Sequence, residues 1–281
     1  MPLDMSLVGF TTKPFVVAYD WRTLATYTLG IGARRDELAY LYEGSKGGMK
    51  VYPTFAVIPA YEPVVELLGR SGGDMAMVVH GGQSVRAHRP VPAAGKLSTT
   101  GTCKGIYDLK KFGQVVIETN STLDGEPVFD TTWSIIFRNA GGFDGPRPEQ
   151  QHEPSAPKDR PADWTVEEAT SPEQALLYRI SGDVNPLHAD PEFAAMVGFP
   201  QGPILHGLCT YGFAARAIVR SAANGDASRL RSFSAQFRKP VWPGDVLVTQ
   251  GWALADNKLA VVTSVKGRPD AVLTNAWAEV R

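Results

Sequence analysis

HRPVPAAGKL, from His88 to Leu97, returns in altered form as FRKPVWPGDVL, from Phe237 to Leu247. The signals around the two copies come in the same order. Ahead of the first stand an amphipathic stretch, DWRTLATYTLGIGA, and a more apolar one, PTFAVIPAYEPVVELL; an alternating, turn-punctuated run ending in TTWSIIF follows it. Ahead of the second stand SPEQALLYRI and GLCTYGFAARAIV, and an alternating run ending in TNAWAEV follows. A chain that repeats helices first and a meander afterwards is a duplication, and few architectures accommodate one. The expectation is α+β: a long helix wrapped by an antiparallel sheet, twice.

Between the copies, residues 139–160 exchange apolar periodicity for Pro, Gly and charge, which marks a linker. The chain then divides into an N-terminal repeat over 1–138, the linker over 139–160, and a C-terminal repeat over 161–281. Local chemistry supports the elements. Asp124-Gly125 and Lys266-Gly267 sit between β-branched and aromatic runs as hairpin turns. Ser171-Pro172-Glu173-Gln174 carries a cap, an N1 proline and a reciprocal acceptor, predicting a helix from Pro172 to Ile180. Asp190-Pro191-Glu192 starts a shorter helix that Gly198 ends. From Gly207, a stripe of Leu208, Tyr211, Ala214, Ala215, Ile218 and Ala222 predicts a helix lying on a sheet.

Bulk properties narrow the function. The 281 residues are 43% hydrophobic and carry a net charge of -1. That balance argues against a nucleic-acid or membrane-surface partner. Cys103 and Cys209 are too few for a disulfide framework or a zinc site, and suit a reducing cytoplasm. The N-terminus lacks the pattern of a signal peptide, the C-terminal AWAEVR is no peroxisomal address, and no window has the length of a spanning helix. A soluble, cytoplasmic protein is expected. No G-x-S-x-G elbow is present, GSKGGMK lacks the order of a phosphate loop, and the five histidines lack metal-ligand spacing, so no metal is expected.

Chemistry concentrates in YRISGDVNPLHADPEFAA, where Asp183, Asn185 and His188 share one turn. Short polar residues suit any turn, because they satisfy nearby backbone groups. A second segment, GPILHGLCTYG, changes the weighing. Its His206-Gly207 step opens a helix, where glycine admits a ligand to free N–H groups and a dipole that favours negative charge, although close packing also calls for glycine. Such a donor is worth roughly 3 kcal/mol of barrier, and each proton handler about two to four powers of ten. Acid, base and donor together suit chemistry next to a carbonyl.

The run from Tyr178 to Ala194 resembles the signature of the (R)-specific enoyl-CoA hydratases, or hydratase 2, in the MaoC-like hot-dog superfamily. GFPQGPILHGLCTYG and FRKPVWPGD extend the likeness through the second half; YPTFAVIP, VVHGGQSVRAHRPVPAAGKL and FDTTWSIIFR extend it through the first. The resemblance implies a double hot-dog fold and syn addition of water to a trans-2-enoyl-CoA, giving a (3R)-3-hydroxyacyl-CoA. It makes Asp183 and His188 the acid–base pair, gives Asn185 a share in holding the pair or the water, and aims the Gly207 N–H at the thioester oxygen. No metal or redox cofactor is implied, the partner is the acyl-CoA itself, and a homodimer is expected. The same likeness points to His80, Gly81, Lys111 and Phe237 as ligand-contacting positions, and it departs at Gly82, where relatives carry an acidic residue. In the first half no acid stands five residues beyond Tyr27 of Tyr27-Thr-Leu-Gly-Ile-Gly-Ala33 and no His ten residues beyond it, so its equivalent site is expected to be chemically dead. Two other readings stand beside hydration: a hot-dog thioesterase and a non-catalytic acyl-CoA-binding subunit.

Overall fold

The computed structural model describes residues 3–149 and 154–281. Positions 150–153 of the linker lie outside the described residues. Among the described residues ten strands make one antiparallel sheet: β1 (Phe15–Tyr19), β2 (Val78–Ala87), β3 (Gly95–Asp108), β4 (Gly113–Leu123), β5 (Glu126–Phe137), β6 (Trp164–Ala169), β7 (Leu230–Phe237), β8 (Val246–Ala253), β9 (Lys258–Val265) and β10 (Ala271–Val280). Their order, β1-β3-β4-β5-β2-β7-β10-β9-β8-β6, reads the same from either edge once each strand is matched to its repeat mate. The duplication is therefore a pseudo-two-fold axis. It passes where β2 meets β7, with Ser84 opposite Ser234.

Each five-stranded half wraps a long helix, α2 (Val57–Arg70) in the first and α5 (Gly207–Ala222) in the second. Shorter helices precede them: α1 (Trp21–Gly30), then α3 (Gln174–Tyr178) and α4 (Pro191–Met196). This is the α+β, double hot-dog arrangement. Asp124 and Gly125, at φ 55° and 82°, form the two-residue turn between β4 and β5 that their sequence predicts. Asp190 accepts from the amides of Glu192 and Phe193 and starts α4.

Two helices depart from expectation. Ser171 accepts from the Glu173 amide at 3.0 Å and donates its own amide to Gln174 at 3.3 Å, as the cap pattern predicts. Yet Pro172 and Glu173 remain a turn, so regular α-helix covers only Gln174–Tyr178 and tightens into a 3-10 turn over Arg179–Ser181. The second departure is α5, which buries every residue from Leu208 to Val219 rather than one stripe. It rests on β7, β8 and β10 and is covered by the first half on its other side, where a Cβ at Gly212 would lie 2.3 Å from Ile31. Sequence periodicity registers the sheet-facing stripe and misses the covering layer.

The start of the linker is held in place. Asp108, at the end of β3, accepts from the amides of Gly142 and Asp144, and its own amide donates to the Pro146 carbonyl. Arg147 is thereby brought to the wall of the main cavity.

Candidate active site

The sequence after α3 folds into a sequence of tight turns because each residue suits its backbone. Gly182 has φ 139°, open only to glycine, and ends the 3-10 turn. The Asn185 amide donates to Asp183 Oδ1 at 3.2 Å, and Asn185 Oδ1 accepts from the Leu187 amide at 3.0 Å. Asn185 thus ties the acid to the 3-10 turn Pro186–His188 that carries the imidazole. The segment before α5 fixes both ends: His188 Nδ1–H donates to the Ile204 carbonyl at 2.8 Å, and His206 Nε2–H donates to the Asp183 carbonyl at 3.1 Å. The two imidazoles stack with centroids 3.7 Å apart.

Asp183, His188 and His206 place potential donor atoms within 4.8 Å of one another, and no direct hydrogen bond joins the Asp183 and His188 side chains among the described residues. A water accepted at one group and donated to the other, with two bonds of about 2.8 Å at a tetrahedral angle, spans roughly 4.6 Å. The 4.8 Å bound leaves room for one water bridging two of these groups. Each ring donates one N–H to a carbonyl, which leaves His188 Nε2 and His206 Nδ1 as acceptors, and His206 Nδ1 is buried without a partner among the described residues.

Burial sets the charges. It holds the His188 pKa below its usual 6.5, against the opposing pull of the Asp183 carboxylate, and it pushes His206 down to about 2. Both rings are neutral near pH 7, so a nitrogen of His188 remains a base. The acid receives one more bond, from the opposite half of the chain: Tyr61 Oη on α2 donates to Asp183 Oδ1 at 3.2 Å. Burial and the adjacent carboxylate raise the Tyr61 pKa, so its hydroxyl keeps its proton.

Asp183, Asn185, His188 and Gly207 all line one cavity of about 1530 Å³. Gly207 is the first residue of α5, and no side chain caps that helix end. A Cβ at Gly207 would meet the Phe237 ring at 3.2 Å, so packing and access to the amide both call for glycine. His80, Gly81 and Phe237 lie on the same wall. His80 stacks on Trp133 at 5.0 Å and tilts against Phe237 at 4.8 Å; burial lowers its pKa to about 4, and its Nε2 has no partner. Gly81 takes up the bulge where β2 slips against β5. At Gly82 a Cβ would lie 3.3 Å from the Ala235 carbonyl, so this edge is closed by backbone rather than by a carboxylate. Lys111 does not join them. It is exposed in the β3–β4 turn, while its neighbours Leu109 and Phe112 reach the cavity wall.

Sequence reasoning passed over Tyr61, and it treated His206 only as the residue before Gly207. A signal for Tyr61 exists in the repeat: Tyr61 and Tyr211 both occupy the fifth position of their long helices. The first half has no such turn to serve. Five residues beyond Tyr27, where Asp183 follows Tyr178, stands Gly32, and a Cβ there would lie 2.1 Å from the Phe213 ring. Tyr211, lacking an acid to bond, donates to the Phe233 carbonyl at 2.5 Å instead.

The fold and site define a class, a double hot-dog chain whose main cavity is lined by Asp183, Asn185, His188 and Gly207. Comparison with known proteins agrees: residues 151–273 match the MaoC like domain, and residues 17–139 match the MFE-2 hydratase 2 N-terminal domain. The chain is 39% identical to 3-hydroxyacyl-thioester dehydratase Y of Mycobacterium tuberculosis, over 96% of this chain and 94% of that one. It is 36% identical to peroxisomal enoyl-CoA hydratase 2 of Arabidopsis thaliana, over 94% and 90% of the two chains. A crystal structure of a MaoC-like dehydratase from Phytophthora capsici superposes with a TM-score of 0.89 at 29% identity, covering 100% of this chain and 98% of that one. The chain belongs to the MaoC-like hydratase 2 family.

Proposed function

We propose that this chain reversibly adds water to a trans-2-enoyl-CoA on one face, giving a (3R)-3-hydroxyacyl-CoA. The observation that carries this reading is the meeting of Asp183 and His188, whose potential donor atoms lie within 4.8 Å of one another, on the wall that also carries Gly207. In the forward direction one member of the pair takes a proton from the water as its oxygen bonds Cβ, and the electron pair of the C=C bond shifts toward the thioester. The oxygen of the resulting enolate is held by the Gly207 N–H at the positive end of α5. A proton returned to Cα from the same side completes the addition. Water supplies every atom added, and the reaction draws on no metal or redox group.

The size of the cavity supports a large substrate, since usual small-molecule pockets are about 300–1,000 Å³. Val64, Val65, Leu68 and Val78 give it an apolar region for an acyl chain, and Arg138, Arg147, Arg238 and Lys239 supply cations for phosphates of coenzyme A. The same reading takes the protein to be a cytoplasmic homodimer. Both of its thiols are free and buried, and among the described residues no helix is long and apolar enough to cross a membrane.

The test is hydration of crotonyl-CoA and of a longer trans-2-enoyl-CoA, followed by loss of enoyl absorbance. An (R)-specific 3-hydroxyacyl-CoA dehydrogenase should consume the product and an (S)-specific one should not. Release of free thiol without hydration replaces this reading with thioester hydrolysis.

A further inference from the structure

The pseudo-two-fold axis at Ser84 and Ser234 carries the main cavity, at the Gly82 end of the β2–β7 pair, onto the opposite end, near Ala87 and Leu230. A second cavity of about 520 Å³ lies there. Its floor is apolar, from Val51, Pro53, Val91, Phe129 and Leu230. Its charged wall is cationic: Lys50, Arg89 and Arg231 line it with one acid, Asp226, which already meets Lys50 at 3.5 Å. In the repeat, Arg89 of HRPV stands where Lys239 of RKPV stands beside the main cavity.

Neither guanidinium is neutralised. Arg89 Nη2 donates to the Leu123 carbonyl at 2.9 Å, and Arg231 Nη2 to the His88 carbonyl at 2.8 Å; among the described residues neither forms an ion pair. Arg89 Nε is buried without any partner. A buried, unpaired donor on a cation is costly, and the usual remedy is an anion. The lip of the cavity is Gly47-Gly48 of the GSKGGMK stretch, both at φ +86°, where a Cβ would meet nothing within 4 Å. That glycine turn, which is no phosphate loop, leaves the entrance without side chains on that side.

We propose that this second cavity is a binding site for a small amphipathic carboxylate, with its head on Arg89 and Arg231 and its apolar body against Phe129 and Val91. Binding occurs without chemistry, because the corresponding turn carries Gly32 in place of an acid. The size fits a free carboxylate and not a whole CoA thioester, for which the main cavity is about three times larger.

Titration calorimetry with decanoate tests this, with decan-1-ol as the body lacking a head and inorganic phosphate as a head lacking a body. Decanoate should bind, the other two at least tenfold more weakly. Arg89→Gln with Arg231→Gln should lower decanoate affinity tenfold or more. Because those arginines also bond carbonyls, Ala93→Phe provides a second variant that keeps both charges and fills the cavity, and it should weaken binding similarly; circular dichroism confirms folding of each. Arg238→Gln with Lys239→Gln, beside the main cavity, should leave this binding unchanged. The proposal is overturned if decanoate does not bind, if decanol or phosphate binds as tightly, or if only the Arg238/Lys239 pair abolishes binding.

Discussion

Tyr61 and Asp183 sit 122 positions apart and meet at 3.2 Å, phenol to carboxylate. The half without an acid–base turn thus positions the acid of the half that has one, through the fifth residue of its long helix. The first repeat therefore contributes a side chain to the turn that carries Asp183. A hydrogen bond to a charged acceptor contributes about 1.5–3 kcal/mol. Tyr61→Phe should lower kcat by roughly tenfold or more with little change in KM, a split that steady-state kinetics on a trans-2-enoyl-CoA will read. A raised KM with unchanged kcat in a well-folded variant would assign Tyr61 to substrate binding instead.

Asp183→Asn and His188→Ala address the water gap itself. Each removes one of the two groups that span it, and each should cut turnover by about two to four powers of ten. The fold should survive, because Asp183 is only half-buried and the His206 bond to its backbone carbonyl remains. Thermal denaturation beside the kinetic assay separates the two effects; unchanged hydration in either variant removes that residue from the mechanism.

Acid should act on this protein through its histidines. His188, His206 and His80 all have pKa values held below 6.5 by burial, the last two at about 2 and about 4. Below pH 6.5 the unfolded chain binds protons that the native chain refuses, so the sign is fixed: stability is full above 6.5 and falls as pH drops. Each such group contributes a slope of up to about 1.4 kcal/mol per pH unit. If His188 is the member of the pair that takes the proton from water, the acid limb of kcat/KM should have its midpoint below 6.5 and a plateau above it. Urea titrations and kinetics from pH 4.5 to 8.5 measure the two limbs separately. A limb centred above 6.5 would contradict a buried, neutral His188.

Legibility divided along the range of the interactions. Elements governed by neighbours in sequence were readable: the Asp124-Gly125 turn, the Asp190 cap, and the proximity of Asp183, Asn185 and His188 within one loop. Gly207 was readable as a helix start, although the Phe237 ring that also demands glycine was not. Contacts between the halves left weaker traces. Tyr61 looked like one apolar-face residue among several, and Lys111, placed by resemblance, sits on the turn beside the cavity rather than on its wall. Glu37 and Arg216 gave no signal, since Glu37 ends the charged run Arg34-Arg35-Asp36-Glu37 and a lone arginine in a helical stripe reads as solvated until the layer that covers it is known.

That pair is buried: Glu37 is 7% exposed and lies against Arg216. Arg216 is 0% exposed in the middle of α5, with Nε bonded to both oxygens of Glu37 at 3.1 Å and Nη1 to the Ile31 carbonyl at 3.2 Å. Glu37 also accepts from the Tyr52 hydroxyl, and Glu168 completes the ring with bonds to Arg216 at 3.1 Å and Arg220 at 2.9 Å. Removing one partner of a buried pair strands the other charge, at a cost of about 3–5 kcal/mol, whereas removing both is far milder. Arg216→Met alone should therefore destabilise the protein by about that amount in chemical denaturation. Adding Glu37→Gln to it takes away the stranded carboxylate and leaves an amide oxygen for Tyr52, so the double variant should be more stable than Arg216→Met alone. If the two losses simply add, the charges are solvated independently and the pair does not clamp the first half to α5.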